Sequence, residues 1–218
     1  MNMSNKLLLF LLSLSILLPT TASIVRYRKL PETYHPLVYM LVLGLFTEVT
    51  IFSLFSRSSS ALPTNIYYLI ESLLLLWQFK SWNDVIKRRN VMMLFMLVFA
   101  VAWMIDYLII GNIFTYRLWF QLLSSLTLIL LAVNQMNYLI ENDRRTLTKN
   151  PIFLICVGII LFFCYKIMAE VFFHYAPEIT IKRNIFVIEA YLNVLYNILL
   201  FIAVLCITPK NVFTRQLR

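Results

Sequence analysis

The sequence predicts an all-α, polytopic membrane bundle of seven transmembrane helices, with the N-terminus outside and the C-terminus in the cytoplasm. Three observations carry that expectation. Of 218 residues, 61% are hydrophobic and only 13% are charged, against about 25% charged in an ordinary globular chain. The mean hydropathy is +0.80. The apolar residues fall into seven runs separated by short polar stretches, and the basic residues crowd into alternate stretches. Such a composition excludes a soluble enzyme, a disordered tail and a disulfide-stapled secreted domain, each of which needs a polar surface or many cysteines. At about 20 residues per span the chain is one transmembrane domain over residues 1–218, and any catalytic or output domain is expected on another chain.

The runs cover residues 7–25, 36–55, 66–79, 91–110, 118–140, 151–173 and 185–208. Each is read as a helix, because only helices and closed barrels satisfy the backbone in lipid and none of the runs alternates polar with apolar residues. The first resembles a secretory signal, with Lys6, the stretch from Leu7 to Leu18, and Thr20-Thr21-Ala22 as a cleavage region. Cleavage would force Arg26, Arg28 and Lys29 to be exported, so a retained helix is expected. The second starts at Pro36, where a helix tolerates proline in its first turn. The third is short for a span and is expected to continue through Lys80, snorkelling, to Trp82 at the interface. The fourth, fifth, sixth and seventh are long, and Pro63, Pro151, Pro177 and Pro209 fall at ends or between runs. Only Pro19 lies within a run. Cys156, Cys164 and Cys206 lie inside apolar runs and act there as small apolar side chains.

Orientation follows from the loops. With the N-terminus outside, 13 basic residues are cytoplasmic: Arg26, Arg28, Lys29, Lys80, Lys87, Arg88, Arg89, Arg144, Arg145, Lys149, Lys210, Arg215 and Arg218. Lys6, Arg57, Arg117, Lys182 and Arg183 make an outer set of 5, with Lys166 inside a helix. The net charge of +9 is therefore spread over inner loops, and no nucleic-acid partner is expected. The bilayer is one partner, and the basic inner loops suit a cytoplasmic or membrane signalling partner. The localisation implied is the cell inner, cytoplasmic membrane.

Seven helices can hold two parallel three-helix halves joined by one extra helix. Thr47-Glu48-Val49 in the second run has a counterpart in Ala169-Glu170-Val171 of the sixth, and Asn65-Ile66-Tyr67 leading to Glu71 has one in Asn184-Ile185-Phe186 leading to Glu189. The stretch Leu18-Pro19-Thr20-Thr21-Ala22-Ser23-Ile24-Val25-Arg26-Tyr27-Arg28-Lys29 resembles the proline-containing end of the first helix in PQ-loop and SWEET proteins. Those proteins share a 3+1+3 plan with the N-terminus outside. Thr20 stands where the family has glutamine, and the fifth run reads Asn134-Gln135 without a proline. The resemblance implies a carrier of small solutes built on a parallel repeat.

The ionisable residues within the runs form the candidate site. Glu48, Glu71, Asp106, Lys166, Glu170 and Glu189 all lie within roughly 10 Å of the outer ends of their helices, at about 1.5 Å per residue. A charge in hydrocarbon costs on the order of 2.5–3.5 kcal/mol even on lenient scales, so these groups should face the bundle or a wet cavity. Helical spacing agrees. Lys166, Glu170 and His174 share a face of the sixth helix, Glu189, Asn193 and Asn197 a face of the seventh, and Tyr67, Glu71 and Gln78 a face of the third. The expected ligand- or proton-binding set is Glu48, Glu71, Asp106, Lys166, Glu170, Glu189 and Asn193, with Tyr67, Tyr107, Tyr165 and Tyr191 as pocket walls. Arg117 or Arg183 is expected to offset part of the negative charge. The alternative is interhelical glue, in which Lys166 pairs with Glu170 on its own helix and the rest hydrogen-bond across helices.

Enzyme activity, a metal and a cofactor are not expected. Two histidines, His35 and His174, cannot make a histidine-based metal site, and no cysteine pair has ligand spacing. Three glycines, Gly44, Gly111 and Gly158, leave no room for a phosphate loop or a nucleotide fingerprint. Lys166 lies in the sixth helix, whereas a retinal-binding lysine of the rhodopsin plan stands in the seventh.

Three functions stay open: receptor-like sensing of a small ligand or protons with coupling to a partner protein, proton-coupled transport of a small solute, and a structural membrane subunit. The scarcity of glycine and proline breaks favours the first, because transporter sites are usually built on interrupted helices. The charge count makes a direct prediction. A reporter active only in the cytoplasm, fused after Arg218, is expected to give signal; silence from a stably inserted fusion overturns the orientation.

Overall fold

The structure is a computed structural model that describes residues 10–54, 61–82, 89–115, 118–142, 147–175 and 179–209. Among these residues the regular elements are all helical. Helix α1 is Leu17–Arg26, α2 His35–Leu54, α3 Ala61–Trp82, α4 Arg89–Met104, α5 Trp119–Asn142, α6 Pro151–Tyr175 and α7 Ile179–Cys206. Six of the seven belong to stretches long and apolar enough to cross a membrane. The exception is α3, whose apolar run is interrupted by Asn65, Glu71, Gln78 and Lys80. The expected third run, residues 66–79, is thus too short at its start: the helix begins at Ala61 and holds Pro63 in its first turn, where a missing N–H breaks no intrahelical bond. Likewise α4 starts at Arg89 and α7 at Ile179, before the limits of 91 and 185 drawn from hydropathy.

Local chemistry explains the irregular turns. The tight turn Leu14–Ile16 precedes Pro19, which offers no N–H and crowds the carbonyl four residues back, at Ser15. A wider π turn, Ile105–Ile109, continues α4 and is closed by the Ile110 N–H donating to the Ile105 carbonyl at 2.9 Å. That turn buries Asp106, whose Oδ2 accepts the Phe120 N–H at 2.9 Å and so caps the first turn of α5. A carboxylate there is also favoured by the helix dipole.

Neighbours in sequence are neighbours in space. The helix α1 packs on α2, α2 on α3, α3 on α4 and α5, α5 on α6, and α6 on α7; contact of α7 with α1 closes the ring. Two apolar cores meet at α3. Leu75 and Phe79 join Leu41, Leu128, Ile155, Ile159, Leu200 and Val204 in the larger one, while Leu76 joins Phe99, Trp103, Tyr107 and Phe120 in the smaller. The outer surface of α4 is apolar instead: Leu94, Leu97, Val101, Met104 and Leu108 are exposed at helical spacing, as a lipid-facing stripe should be.

Polar groups lock the helices at the end away from the acidic residues. The Arg26 guanidinium donates to the carbonyls of Val204, Leu205 and Ile207 at 2.6, 2.8 and 2.9 Å, satisfying the C-terminus of α7 from α1. Gln78, fully buried in α3, accepts the Leu37 N–H at 2.8 Å and donates to the Thr33 carbonyl at 2.6 Å. It therefore supplies the N-terminal cap that the sequence before α2 lacks. Thr20 and Ser23 of α1 are buried as well, so this helix is a packed member of the bundle.

Most of the basic loop residues, including Lys87, Arg88, Arg144, Arg145, Lys210, Arg215 and Arg218, lie outside the described residues, as do Lys6, Arg57 and Arg117. The cap makes a prediction about stability. Gln78→Leu keeps the side-chain bulk but strands the Leu37 N–H and the Thr33 carbonyl, and is expected to cost about 2–3 kcal/mol. Thermal unfolding in detergent checks this; an unchanged midpoint would show that the start of α2 does not depend on the amide.

Candidate functional site: an acidic cavity between four helices

The cavity lies inside the helix ring. It is half-enclosed, with a volume of about 290 Å³, and draws its walls from Ser13 and Ile16 before α1 and from α2, α3, α6 and α7. Met40, Leu41 and Leu200 are its apolar lining, and Glu48, Glu71, Lys166, Glu189 and Asn193 are among its polar groups. Five of the seven residues expected at the site thus face one space. Gly44 makes the close approach possible on the α2 side: a Cβ there would lie 2.7 Å from Ile16 Cδ1 and 3.3 Å from Tyr67 Oη.

An ion pair links the helices across this space. Lys166 Nζ of α6 stands 3.6 Å from Glu71 Oε2 of α3, with both side chains 6% exposed. The other oxygen, Glu71 Oε1, accepts the Tyr67 hydroxyl at 2.9 Å, and the ammonium lies 3.9 Å from the centroid of the Tyr68 ring. Both charges are therefore paired and solvated by protein groups, which a buried pair requires if its desolvation is to be offset. The alternative reading pairs Lys166 with Glu170 on its own helix, and the ion pair is with Glu71 instead. Spacing along one helix allows that contact, but the ammonium takes the carboxylate it meets across the interface.

Glu170 has a different partner. With its amide turned so that the NH2 faces the carboxylate, Gln121 of α5 donates to Glu170 Oε1 at 2.6 Å and to Oε2 at 3.2 Å. Asp106 is remote from the cavity, spent on capping α5, and its Oδ1 has no hydrogen-bond partner among the described residues. Neither residue lines the cavity, so the expected single layer divides into a cavity group and two structural carboxylates. On the seventh helix the expected face holds. Glu189, Asn193 and Asn197 all line the cavity, and Asn197 donates to Ser15 Oγ at 2.8 Å.

The tyrosines sort the same way. Tyr67 lines the cavity, whereas Tyr107 packs on Trp103 and Phe120, Tyr165 donates to the Ile185 carbonyl at 3.1 Å, and Tyr191 is exposed. Gln78, expected beside Tyr67 and Glu71, caps α2 instead. Arg117 and the side chains of His174 and Arg183 lie outside the described residues.

Sequence reasoning passed over Ser13, Tyr68 and Tyr196. Tyr196 had a legible signal: it stands three residues after Asn193 and seven after Glu189, on the same helical face. Tyr68 had one too, three residues before Glu71, whereas Ser13 had none, because its place follows from how the segment before α1 packs in the bundle. Among the described residues no group of three or more His, Cys, Asp or Glu side chains is placed to hold a metal ion. Compared with protein-family models, curated proteins and solved structures, the chain gives no match. The chemistry of the cavity is what a functional reading has to work from.

The pair can be tested by a double-mutant cycle. Lys166→Met leaves the Glu71 carboxylate buried without its cation and is expected to destabilise by about 3–5 kcal/mol. Adding Glu71→Gln should recover most of that loss, because the neutral amide no longer needs a counter-charge. Additive losses in thermal unfolding would show that the two groups do not act as a pair.

Proposed function

We propose that this protein is a receptor-like integral membrane protein of seven spans, oriented with its N-terminus outside and C-terminus inside, that senses a small ligand or protons in the acidic cavity. The observation that carries the reading is the cavity itself: three carboxyl groups, Glu48, Glu71 and Glu189, share its walls with one ammonium, that of Lys166. Its position supports outward access, because the cavity runs from the middle of the helices toward the end away from Arg26, and on the charge count the Arg26 end is the cytoplasmic one. Coupling to a partner is assigned to the basic inner loops, and the membrane to the cell inner, cytoplasmic one. Occupancy would be felt by α2, α3, α6 and α7 together, since all four meet at the cavity and α3 and α6 are joined by the ion pair.

A proton-coupled carrier with two parallel halves is the second reading. What favours it is the pairing of Thr47-Glu48-Val49 with Ala169-Glu170-Val171 and of Asn65-Ile66-Tyr67 leading to Glu71 with Asn184-Ile185-Phe186 leading to Glu189 along the chain. Against it, α2, α3, α6 and α7, which build the cavity, run without a break, whereas carriers commonly place their sites on interrupted helices.

Flux separates the two. With the full chain in sealed vesicles and a pH dye inside, an imposed proton gradient is expected to decay no faster than in protein-free vesicles. A faster decay that Glu48→Gln or Glu189→Gln abolishes would replace the receptor reading with the carrier.

A further inference from the structure

The cavity's polar groups are unequally satisfied, and the inequality carries information about the ligand. Glu71 is fully engaged, by Lys166 on one oxygen and Tyr67 on the other. Glu48 and Glu189 are not. Neither has an ion-pair partner among the described residues; the Ser13 hydroxyl hydrogen-bonds to Glu48, and the two carboxyl groups lie within electrostatic range of each other. Lys166 acts on Glu189 and Glu170 only from beyond ion-pair distance. Two acidic groups on α2 and α7 thus face one space with a single cation already committed elsewhere.

A second, independent feature points the same way. Tyr196 lines the cavity at 6% exposure, and its buried hydroxyl has no hydrogen-bond partner among the described residues. The ring cannot turn away to find one. It stacks on Phe162 with centroids 4.7 Å apart and planes 13° apart, and Gly158 packs so closely against it that a Cβ there would come within 3.1 Å. An orphaned buried hydroxyl costs stability unless something in the cavity bonds to it. Its oxygen lies within electrostatic range of Glu71, on the polar side of the space.

We propose that the cavity binds a small organic ammonium ion with a short aliphatic body, its N–H groups shared between Glu48 and Glu189 and the Tyr196 hydroxyl, its carbon chain against Met40, Leu41 and Leu200. This rests on the reading that the cavity is the ligand site and names the class of ligand. The volume of about 290 Å³ is at the small end of the roughly 300–1,000 Å³ of small-molecule sites. Anions are repelled by the carboxyl groups. A divalent metal wants a cage of oxygen ligands, which this partly apolar space does not provide. An ammonium on an alkyl chain matches both halves of the lining, and brings the charge that Glu48 and Glu189 lack.

The test uses the purified full chain in detergent at neutral pH, titrated calorimetrically with butylammonium, butanol and butyrate against protein-free micelles. Butylammonium is expected to bind saturably, and the neutral and anionic isosteres not to. Glu48→Gln and Glu189→Gln should each weaken butylammonium by about tenfold or more, the effect of losing one charged hydrogen bond. Tyr196→Phe should weaken it less, and Glu141→Gln, exposed on α5, should leave it unchanged. The comparison of the three probes on the unaltered chain stands even where a variant fails to fold. If butanol or butyrate binds as tightly, with competition from butylammonium, the cation assignment is overturned while the cavity remains a ligand site. If none of the three binds, and the glutamine variants change only the unfolding temperature, the ammonium site and the receptor reading fall together.

Discussion

Helix α3 carries Asn65, Glu71 and Gln78 into the middle of an apolar bundle, and each of those groups must find a partner inside the protein. The way it does so organises the molecule. Gln78 bonds to the backbone at the start of α2, Asn65 donates to the Ile113 and Thr115 carbonyls beyond α4, and Glu71 pairs with Lys166 of α6. The three contacts fall at successive depths along one helix and tie it to three different parts of the chain. A helix with this load needs packed neighbours on several sides, and α3 has them, standing in the wall of the ring between the two apolar cores. The lipid-facing role is left to α4 and to the outer faces of the other helices.

The two ends of the bundle are built for different purposes. At the Arg26 end the guanidinium closes three carbonyls of α7, and Gln78 closes the first turn of α2. Such an end resists opening, because separating α1 from α7 would expose several groups at once. Toward the other end the helices enclose a space, and among the described residues its lining includes carboxyl groups without ion pairs and a hydroxyl without a partner. A buried polar group left without a partner on a cavity wall is a place where something in the cavity can bond. The Lys166 ammonium stands between the two conditions. It is paired with Glu71 and in the field of Glu170 and Glu189, so any charge entering the cavity changes the balance that holds α3 to α6.

The carboxylates outside the cavity show how little a residue's depth says about its role. Asp106 serves the start of α5 because the π turn rotates it toward the Phe120 N–H. Glu170, one helical turn beyond Lys166, faces Gln121 across the α5–α6 interface. Both are acids in apolar runs near helix ends, as are Glu48 and Glu189, and all four look alike when ranked by position alone.

The sequence by itself determined the helical class, the number of apolar runs and the approximate limits of most helices, because the length and continuity of an apolar run depend only on local composition and on the need to satisfy the backbone within the helix. It also placed Glu48, Glu71, Lys166, Glu189 and Asn193 on faces that turn inward, since helical periodicity is a local property. Where a boundary depended on a partner, as at the start of α3, hydropathy stopped short. Tertiary structure alone decided that Lys166 pairs with Glu71 and not Glu170, that Gln78 caps α2, that Arg26 reaches the end of α7 and that the Tyr196 hydroxyl finds no partner among the described residues. Each of these joins residues far apart in the chain, and the rotation of one helix against another, which sets them, leaves no periodic trace in either helix.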